Sequence, residues 1–474
     1  MNAPREKFSS RLGFVLATAG SAVGIGNLVG FPVNAAKSGG GAFLLVYLVF
    51  VFFVCLPVLM AELAMGRHTR SNPVGAYSQI SQHQQLWRLA GILKIITPFM
   101  IGVFYMVITV WLFGYLVMSL SGQLEYLASP DSFDSYINSP YIFVAMLLVG
   151  AMVFLILNSG VQRGIERAAK VLMPSLFIML LVLVIFVLSL DNAIAGARFF
   201  LVPDMSKLNA GVINNALSQA FFSLSLGMGI LITYGSYLDK RDNIVKAGSM
   251  VALADTTVAF IAGLMILPAV FYFNPQVNTD ELSDSSVSLI FVLLPNIFLT
   301  LQDTIGYFGA HVVATVFFLL VFFAAITSLV SIIEVPVAYL IDEKNIHRKR
   351  ALKLLAIIGG ALVVMSALSF GLLTTFTEFM TYAGQSKSFF DVIVDVFYDT
   401  ILPLNGLMVC LFVSFRWKHH QLSQELRLGN NSYAGSWLEK YMSFSLSSFI
   451  PVILLLIFCN TVAQKFFAYS LLGF

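Results

Sequence analysis

The chain is short of charge, because Asp, Glu, Lys and Arg together make up 11% of its 474 residues. Soluble globular proteins carry about 25% of such residues, so this composition excludes a soluble domain. Cysteine is also scarce, and Cys55, Cys410 and Cys459 all lie in apolar stretches, which argues against a disulfide framework or a metal cluster. The net charge of +3 gives no reason to expect nucleic acid as a partner.

Chemistry of the enzymatic kind is absent as well. The sequence has no nucleophile–base constellation, no phosphate-binding loop and no metal-ligand spacing, so we expect no enzyme. Glu62 and Glu334 lie in apolar surroundings and are interpreted as structural, hydrogen-bonded acids.

Long apolar runs are plentiful. Hydrophobic residues make up 58% of the chain, 43 residues are Phe, and the mean hydropathy is +0.88. About 20 apolar residues suffice for a helix to cross a bilayer, which predicts an all-α integral membrane protein. The predicted spans lie near 11–34, 41–66, 90–121, 140–158, 165–190, 212–238, 245–273, 308–340, 351–374, 389–415 and 443–470.

Basic residues mark one side of the membrane. Alternate connections carry bases such as Arg67, Arg163, Lys240 and Arg348, while the other connections are mainly acidic. The positive-inside rule places the basic connections in the cytoplasm. With eleven spans, the N-terminus is then cytoplasmic and the C-terminus outside. The first apolar run is too long for a signal peptide and lacks a clear cleavage site, so we expect no cleaved leader.

The centre of the first span is rich in glycine, with Gly20, Gly24 and Gly26 beside Asn27. Glycine costs a helix interior about 1 kcal/mol relative to alanine, and irregular backbone survives at membrane depth only inside protein or along a cavity. Close helix packing through small residues is the alternative. A second interruption at 223–229 favours a binding site, because paired interrupted segments are typical of secondary transporters.

Six motifs follow one another along the chain: SSRLGFVLATAGSAVGIGN (9–27), GGGAF (39–43), AELAMGR (61–67), GIERAAKVLMP (164–174), FFSLSLGMG (221–229) and FFAAITS (322–328). In these motifs, and over nearly its whole length, the chain resembles the neurotransmitter:sodium symporter family, the amino-acid and amine transporters with the LeuT fold. The resemblance implies one transporter domain over 1–474. Its parts are an inverted repeat of about 11–190 against about 212–415, with unwound first and sixth segments, and an additional helix at about 443–470.

One group of hydroxyls suggests a sodium site. Ala324, Thr327 and Ser328 are spaced i, i+3, i+4 and therefore share one helical face. The resemblance adds the carbonyls of Gly20 and Val23 and makes these five positions the second sodium site. The alternative is that both hydroxyls bond within their own helix.

The first sodium site is implied by the resemblance alone, at Ala22, Asn27, Ser223 and Asp255. Asp255 lies in an apolar run, and an ionisable residue inside a span is a functional hypothesis by default. A protonated structural Asp is the alternative.

Chloride-dependent relatives bind their anion beside this site. The matching positions here are Tyr47, Gln219, Ser223, Asp255 and Ala259. Ala259 has no hydroxyl to offer an anion, and Asp255 already supplies a negative charge. We therefore expect transport that does not require chloride.

The free amides of interrupted helices suit a carboxylate, and the resemblance implies a set of substrate-binding positions around them. These are Ala22, Gly24, Gly26, Ile101, Tyr105, Phe222, Ser225, Met228, Ser328 and Ile332. Tyr105 would add its hydroxyl to the substrate carboxylate, and carbonyls near Phe222 and Ser225 would take the ammonium. With no unpaired acid or base in the pocket, a neutral and apolar amino acid is predicted.

The gates depart from the family pattern on the outer side. Gly30 stands where relatives have an Arg, and its Asp partner position falls near Val394, with Asp395 adjacent. Outer closure is then expected to depend on the Tyr105–Phe222 lid. The inner gate is retained in the sequence and comprises Arg5, Asp342, Phe8, Ser236 and Tyr237.

The resulting prediction is sodium-coupled symport of a neutral amino acid into the cell by alternating access, with two sodium ions. The implied setting is the bacterial inner membrane, with the lipid bilayer and a small-molecule amino acid as partners, in a monomer or weak homodimer. The alternative is a transport-silent membrane receptor that has kept the amino-acid site, for which the loss of Arg at position 30 is the only support. An ion channel is disfavoured, because the polar groups gather at one midplane spot.

Overall fold

The computed structural model describes residues 6–190, 193–273 and 289–469. Within these ranges the chain is almost wholly helical. The helices are α1 (Arg11–Ala22), α2 (Gly26–Lys37), α3 (Gly41–Thr69), α4 (Pro73–Ile80), α5 (Gln85–Leu120), α6 (Tyr141–Asn158), α7 (Val161–Leu188), α8 (Ala193–Leu201), α9 (Ala210–Ser223), α10 (Ile230–Gly235), α11 (Ile244–Phe273), α12 (Leu294–Thr300), α13 (Gln302–Lys344), α14 (Arg348–Leu368), α15 (Phe389–Trp417), α16 (His419–Arg427) and α17 (Trp437–Phe467).

Short elements complete the description. The antiparallel strands β1 (Met380–Tyr382) and β2 (Gln385–Lys387) form a hairpin between α14 and α15. Single helical turns lie in the connections, at Leu124–Leu127, Ser132–Ile137, Met205–Lys207, Thr374–Thr377 and Asn431–Tyr433.

The predicted spans match this architecture. Nine helices of the described residues are long and apolar enough to cross a bilayer, and α1 with α2, bent by 55°, makes a tenth. The sixth predicted span, 212–238, is divided into α9 and α10, each too short to cross alone. The connection between α11 and α13 contains α12, and residues 274–288 of this connection lie outside the described part.

The two breaks have a backbone cause. Helix α1 stops at Ala22 because Val23 turns to an extended conformation (φ −70°, ψ 104°). Helix α9 stops at Ser223, and the chain then passes through left-handed conformations at Ser225 (φ 54°), Gly227 (φ 78°) and Gly229 (φ 71°). Glycine adopts these angles without steric cost, so the glycines in this run permit the interruption.

Several helices contain a π-helical turn, in which the hydrogen bond runs from i to i+5. Such turns occur at Gly26–Gly30, Val51–Cys55, Val161–Glu166, Val394–Ile401 and Phe412–Trp417. Single π-turns inside α-helices are frequent at functional sites. Here one of them opens α2, directly after the first break.

Two buried ion pairs connect distant parts of the bundle. Lys94 of α5 lies 2.6 Å from Glu62 of α3, and both side chains are fully buried. Arg67, also of α3, donates from Nε to Glu425 of α16 at 2.6 Å and from a terminal nitrogen to the Asp242 carbonyl at 2.5 Å. Removal of one partner of a buried pair typically lowers the free energy of unfolding by about 3–5 kcal/mol. Both pairs therefore hold the helices that they connect in fixed relative positions.

Candidate functional site

The two breaks meet α5 and α13 at one buried place, and glycine makes the approach possible. A Cβ atom on Gly24 would lie 2.5 Å from the Tyr105 hydroxyl and 2.7 Å from that of Ser328. A Cβ atom on Gly26 would lie 2.8 Å from the Phe222 ring. Any larger residue would push these side chains away, so the first break is glycine-rich because of close packing as well as backbone freedom.

The Tyr105 hydroxyl lies at the break between α1 and α2. The backbone N–H of Ile25 donates to this hydroxyl at 3.1 Å, and the N–H of Gly24 donates to the Asn27 side-chain oxygen at 3.2 Å. Ala22 is the last residue of α1 and is buried. The start of α2 therefore presents its amide end next to a fixed hydroxyl, an arrangement that favours an anionic group.

The apolar residues assigned to the pocket are buried on the elements that converge there. Ile101 lies on α5, Met228 in the second break and Ile332 on α13. The Phe222 carbonyl, predicted to take an ammonium, accepts the N–H of Ser225 at 2.9 Å. The Ser225 hydroxyl donates to the Ser21 carbonyl at 3.2 Å and so joins the two breaks directly.

The structure brings together the five positions of the predicted second sodium site. The Ser328 hydroxyl lies 3.4 Å from the Gly20 carbonyl and 3.2 Å from that of Val23. The Thr327 hydroxyl bonds back to the Ala324 carbonyl at 3.0 Å. Thr327 thus forms the bond within its own helix that was the alternative to a sodium site. Ser328 instead bonds to the carbonyls of α1 and of Val23 that follows it. Hydroxyls and carbonyls that converge in a dry place can replace the water shell of a cation.

Three of the four residues of the predicted first sodium site, Asn27, Ser223 and Asp255, form one buried hydrogen-bond network. Asn27 donates from Nδ2 to the Ser223 hydroxyl at 2.9 Å and to Asp255 Oδ1 at 2.7 Å. Ser223 donates to Asp255 Oδ2 at 2.7 Å, and the Tyr47 hydroxyl lies 3.4 Å from the same oxygen. Asn27 and Asp255 are wholly buried. The donors of this site therefore point at the Asp255 carboxylate.

On the outer side, Gln219 lies beside Gly30, the position that the sequence predicts to lack a gate arginine. A Cβ atom on Gly30 would lie 3.6 Å from the Gln219 side-chain oxygen. Gln219 donates to the Gly26 carbonyl at 2.9 Å and accepts from Asn34 at 3.0 Å. This side chain joins α9 to α2 on the outer flank of the site.

Asp395, the carboxylate beside the predicted gate position, pairs with partners outside α1 and α2. Asp395 binds Lys465 of α17 at 2.8 Å and accepts the Tyr382 hydroxyl of the β hairpin at 2.8 Å. Asp399 binds the same Lys465 at 2.7 Å. Val394, the residue before Asp395, has no charged group for an ion pair. The outer end of α15 is therefore held by α17 and the hairpin.

An aromatic residue that the sequence did not single out covers the lid. The Tyr398 ring packs edge-on against Phe222, with centroids 4.4 Å apart, and against Phe104 at 5.7 Å. It lies in the π-turn of α15. In the sequence, Tyr398 is marked only as an aromatic residue near the predicted gate partner. Aromatic residues make up 14% of the chain, so that signal does not distinguish Tyr398 from the others.

The inner side is closed by rings and by a buried acid. Phe8 packs against Tyr234 and Tyr237 with centroids 5.7 and 6.0 Å apart. The Tyr237 hydroxyl donates to Glu334 at 2.7 Å, and Arg348 pairs with the other oxygen of Glu334. The prediction that Glu334 is a structural acid agrees with these bonds, and Tyr237 connects it to the inner gate.

The predicted pair between positions 5 and 342 is not visible, because Arg5 lies outside the described residues. Asp342 accepts two hydrogen bonds from Asn72, from the backbone N–H at 3.0 Å and from the side-chain amide at 3.2 Å. The Ser236 hydroxyl donates to the Thr233 carbonyl within its own turn. Within the described residues, the contacts of the predicted inner gate are therefore those of Phe8 and Tyr237.

A further anchor holds the start of α1 against α7. Glu166 accepts the backbone N–H of Ser9 at 2.6 Å and pairs with Lys170 at 2.7 Å. A Cβ atom on Gly13 would lie 1.9 Å from a Glu166 oxygen. The close contact between α1 and this acid thus depends on glycine, and no sequence pattern had assigned Glu166 a role.

Two interrupted helices that meet over hydroxyls, carbonyls and a buried carboxylate define a secondary transporter. The model of the sodium:neurotransmitter symporter family matches residues 5–139 and 131–471, and the chain belongs to that family. The protein is thus a sodium-dependent, multi-pass membrane transporter and not an enzyme.

Individual relatives agree with this assignment. The uncharacterized sodium-dependent transporter YhdH of Bacillus subtilis is 33% identical over 464 residues, covering 96% of this chain and 97% of its own. The bovine sodium- and chloride-dependent taurine transporter is 26% identical, over 61% of this chain and 54% of its own. The crystal structure of MhsT in complex with L-phenylalanine superposes with a TM-score of 0.84 at 37% identity, over 96% of this chain and 99% of that one. The fold is therefore the LeuT fold, as predicted.

Proposed function

We propose that the protein couples two sodium ions to the uptake of a neutral, apolar amino acid by alternating access, independently of chloride. The observation that carries this proposal is the position of the Ser328 hydroxyl among the carbonyls of Gly20, Ser21 and Val23, at 3.1 to 3.4 Å. These oxygens come from two helices that must stay together for a cation to bind. Sodium binding would therefore favour the arrangement in which α1 and α13 are in contact.

The substrate class follows from the charges around the pocket. A carboxylate fits the amide end of α2 beside the Tyr105 hydroxyl, where a helix N-terminus carries partial positive charge. Ile101, Met228 and Ile332 supply apolar surface and no charge. The likeness to MhsT, solved with L-phenylalanine, supports a bulky apolar side chain, and Met228 is flexible enough to accommodate one.

The independence from chloride rests on Asp255. Its Oδ2 atom accepts the Ser223 hydroxyl at 2.7 Å and lies 3.4 Å from the Tyr47 hydroxyl, and both hydroxyls are donors that an anion would need. Ala259 contributes no hydroxyl. A fixed negative charge of the protein thus occupies the electrostatic role of a bound chloride, and a second negative charge nearby would be repelled.

Uptake by the purified protein in liposomes tests the proposal. Radiolabelled leucine and phenylalanine are offered under an inward sodium gradient, with chloride or gluconate outside, and empty liposomes serve as the control. We expect accumulation that collapses with a sodium ionophore and is equal in both anions. Sodium-dependent binding without accumulation would favour the receptor, and strict chloride dependence would contradict the role of Asp255.

A further inference from the structure

A groove on the bundle surface lies apart from the transport site. It runs between α5, α6 and α14, has a volume of about 820 Å³, and is lined almost wholly by apolar side chains. That volume falls within the range of about 300–1,000 Å³ usual for small-molecule sites. Leu147 and Ile357 line it and are 75% and 72% exposed, so the groove opens on the surface that faces lipid.

Glycines create the groove. A Cβ atom on Gly360 would meet no atom within 4 Å, and one on Gly150 would first meet the end of Met106 at 3.6 Å. Both residues line the groove from facing helices. Ordinary packing does not require glycine at either position, because a side chain would fit there. What the missing side chains provide is open apolar space at membrane depth.

One end of the groove is basic. Lys353 lines it, and Lys349 and Arg350 precede it by four and three residues, which puts all three on the same face of α14. They are exposed, and none forms an ion pair within the described residues. Arg348 closes this end by donating to the carbonyl of Leu157, another groove residue, at 2.6 Å. Three cations without acidic partners thus stand where the apolar groove ends.

We propose that this groove binds an anionic phospholipid, with one acyl chain along the glycines and the phosphate on Lys349, Arg350 and Lys353. From Lys353 to Val364 the groove follows α14 for eleven residues, or about 16 Å. This is roughly half of the ~30 Å hydrocarbon core, the depth of a single leaflet. The basic end lies on the side that the positive-inside rule assigns to the cytoplasm.

Native mass spectrometry of the detergent-purified protein, titrated with dioleoylphosphatidylglycerol or dioleoylphosphatidylcholine, tests the proposal. Gly360→Leu fills the groove, and Ala361→Leu, on the exposed neighbouring face, adds the same side chain outside it. We expect Gly360→Leu to lose the bound-lipid peaks of both lipids and Ala361→Leu to keep them. Melting temperatures of the variants confirm that the fold is unchanged.

Charge is tested separately by Lys349→Gln with Lys353→Gln. Each basic residue near an anionic lipid contributes on the order of fivefold, so the pair is expected to reduce the preference for phosphatidylglycerol about 25-fold. The control is Arg241→Gln with Lys246→Gln, an exposed pair at the start of α11. Equal binding of the two lipids by the unmodified protein, or lipid binding unaffected by Gly360→Leu, would overturn the proposal.

Discussion

Removing the two hydroxyls of α13 is the sharpest test of the sodium site. In Thr327→Val with Ser328→Ala, the carbonyls of Gly20, Val23 and Ala324 remain, but two of the five converging oxygens are lost. Each hydroxyl also has neutral carbonyl partners at 3.0 to 3.4 Å, which it can keep when no cation is bound. The variant therefore loses only the difference between a bond to a cation and a neutral bond.

The magnitude follows from that difference. A hydrogen bond to a charged group contributes about 1.5–3 kcal/mol and a neutral one about 0.5–1.5 kcal/mol, which leaves about 1–2 kcal/mol per hydroxyl. Two hydroxyls then amount to roughly 2–4 kcal/mol, or a sodium requirement raised about 30- to 900-fold. Ser328→Ala alone is expected to have the larger share, because Ser328 bonds across to α1 whereas Thr327 bonds within its own helix.

The assay is binding of a radiolabelled amino acid to the purified protein, with sodium replaced stepwise by choline. Thr257→Val with Ser175→Ala serves as the matched control, since both hydroxyls bond back to their own helices away from the site. Thermal unfolding checks that each variant is folded. An unchanged half-saturating sodium concentration in the folded double variant would refute the assignment of this site.

Three further changes have definite expected outcomes. Asp255→Asn is expected to make uptake sensitive to chloride, because the fixed charge is lost while the Ser223 donor remains; equal uptake in chloride and gluconate would contradict this. Tyr398→Ala removes the ring over the lid and is expected to speed modification of a cysteine placed in the outer vestibule, whereas Tyr398→Phe leaves the rate unchanged. Lys94→Met leaves Glu62 buried and unpaired and is expected to cost about 3–5 kcal/mol in unfolding experiments, much of it recovered when Glu62→Gln is added; an unaltered melting temperature of the single variant would argue against the pair.

The helix breaks and the membrane spans could be predicted from the sequence because both depend on residues that are close together along the chain. Hydropathy located each span to within a few residues, and the glycines at 24 and 26 indicated an interrupted helix before any contact was known. Thr327 and Ser328 show the limit of such reading. They are adjacent and equally polar, yet one bonds within its helix and the other to α1, a distinction that depends on the approach of a helix three hundred residues earlier.

Two omissions have different physical reasons. Lys94 lies inside a predicted span, where an ionisable residue is itself a signal, but its partner Glu62 is on another helix and only packing joins them. The second omission is the π-turn at Val394–Ile401, which adds a residue to the turn and so shifts any position that is counted along α15. The outer-gate position near Val394 therefore stays a prediction.

The contact between Arg67 and Glu425 also bears on how the protein is made. The two residues are 358 positions apart, and a ribosome adding about 5–20 residues per second needs roughly 20–70 seconds to cover that interval. Throughout this time Glu425, the carboxylate that pairs with Arg67 in the folded protein, has not been made, although ten of the eleven predicted spans have been synthesised by its end. The contact between α3 and α16 therefore forms late in synthesis. A nascent chain that stops before α16 lacks the carboxylate that neutralises Arg67 in the folded protein.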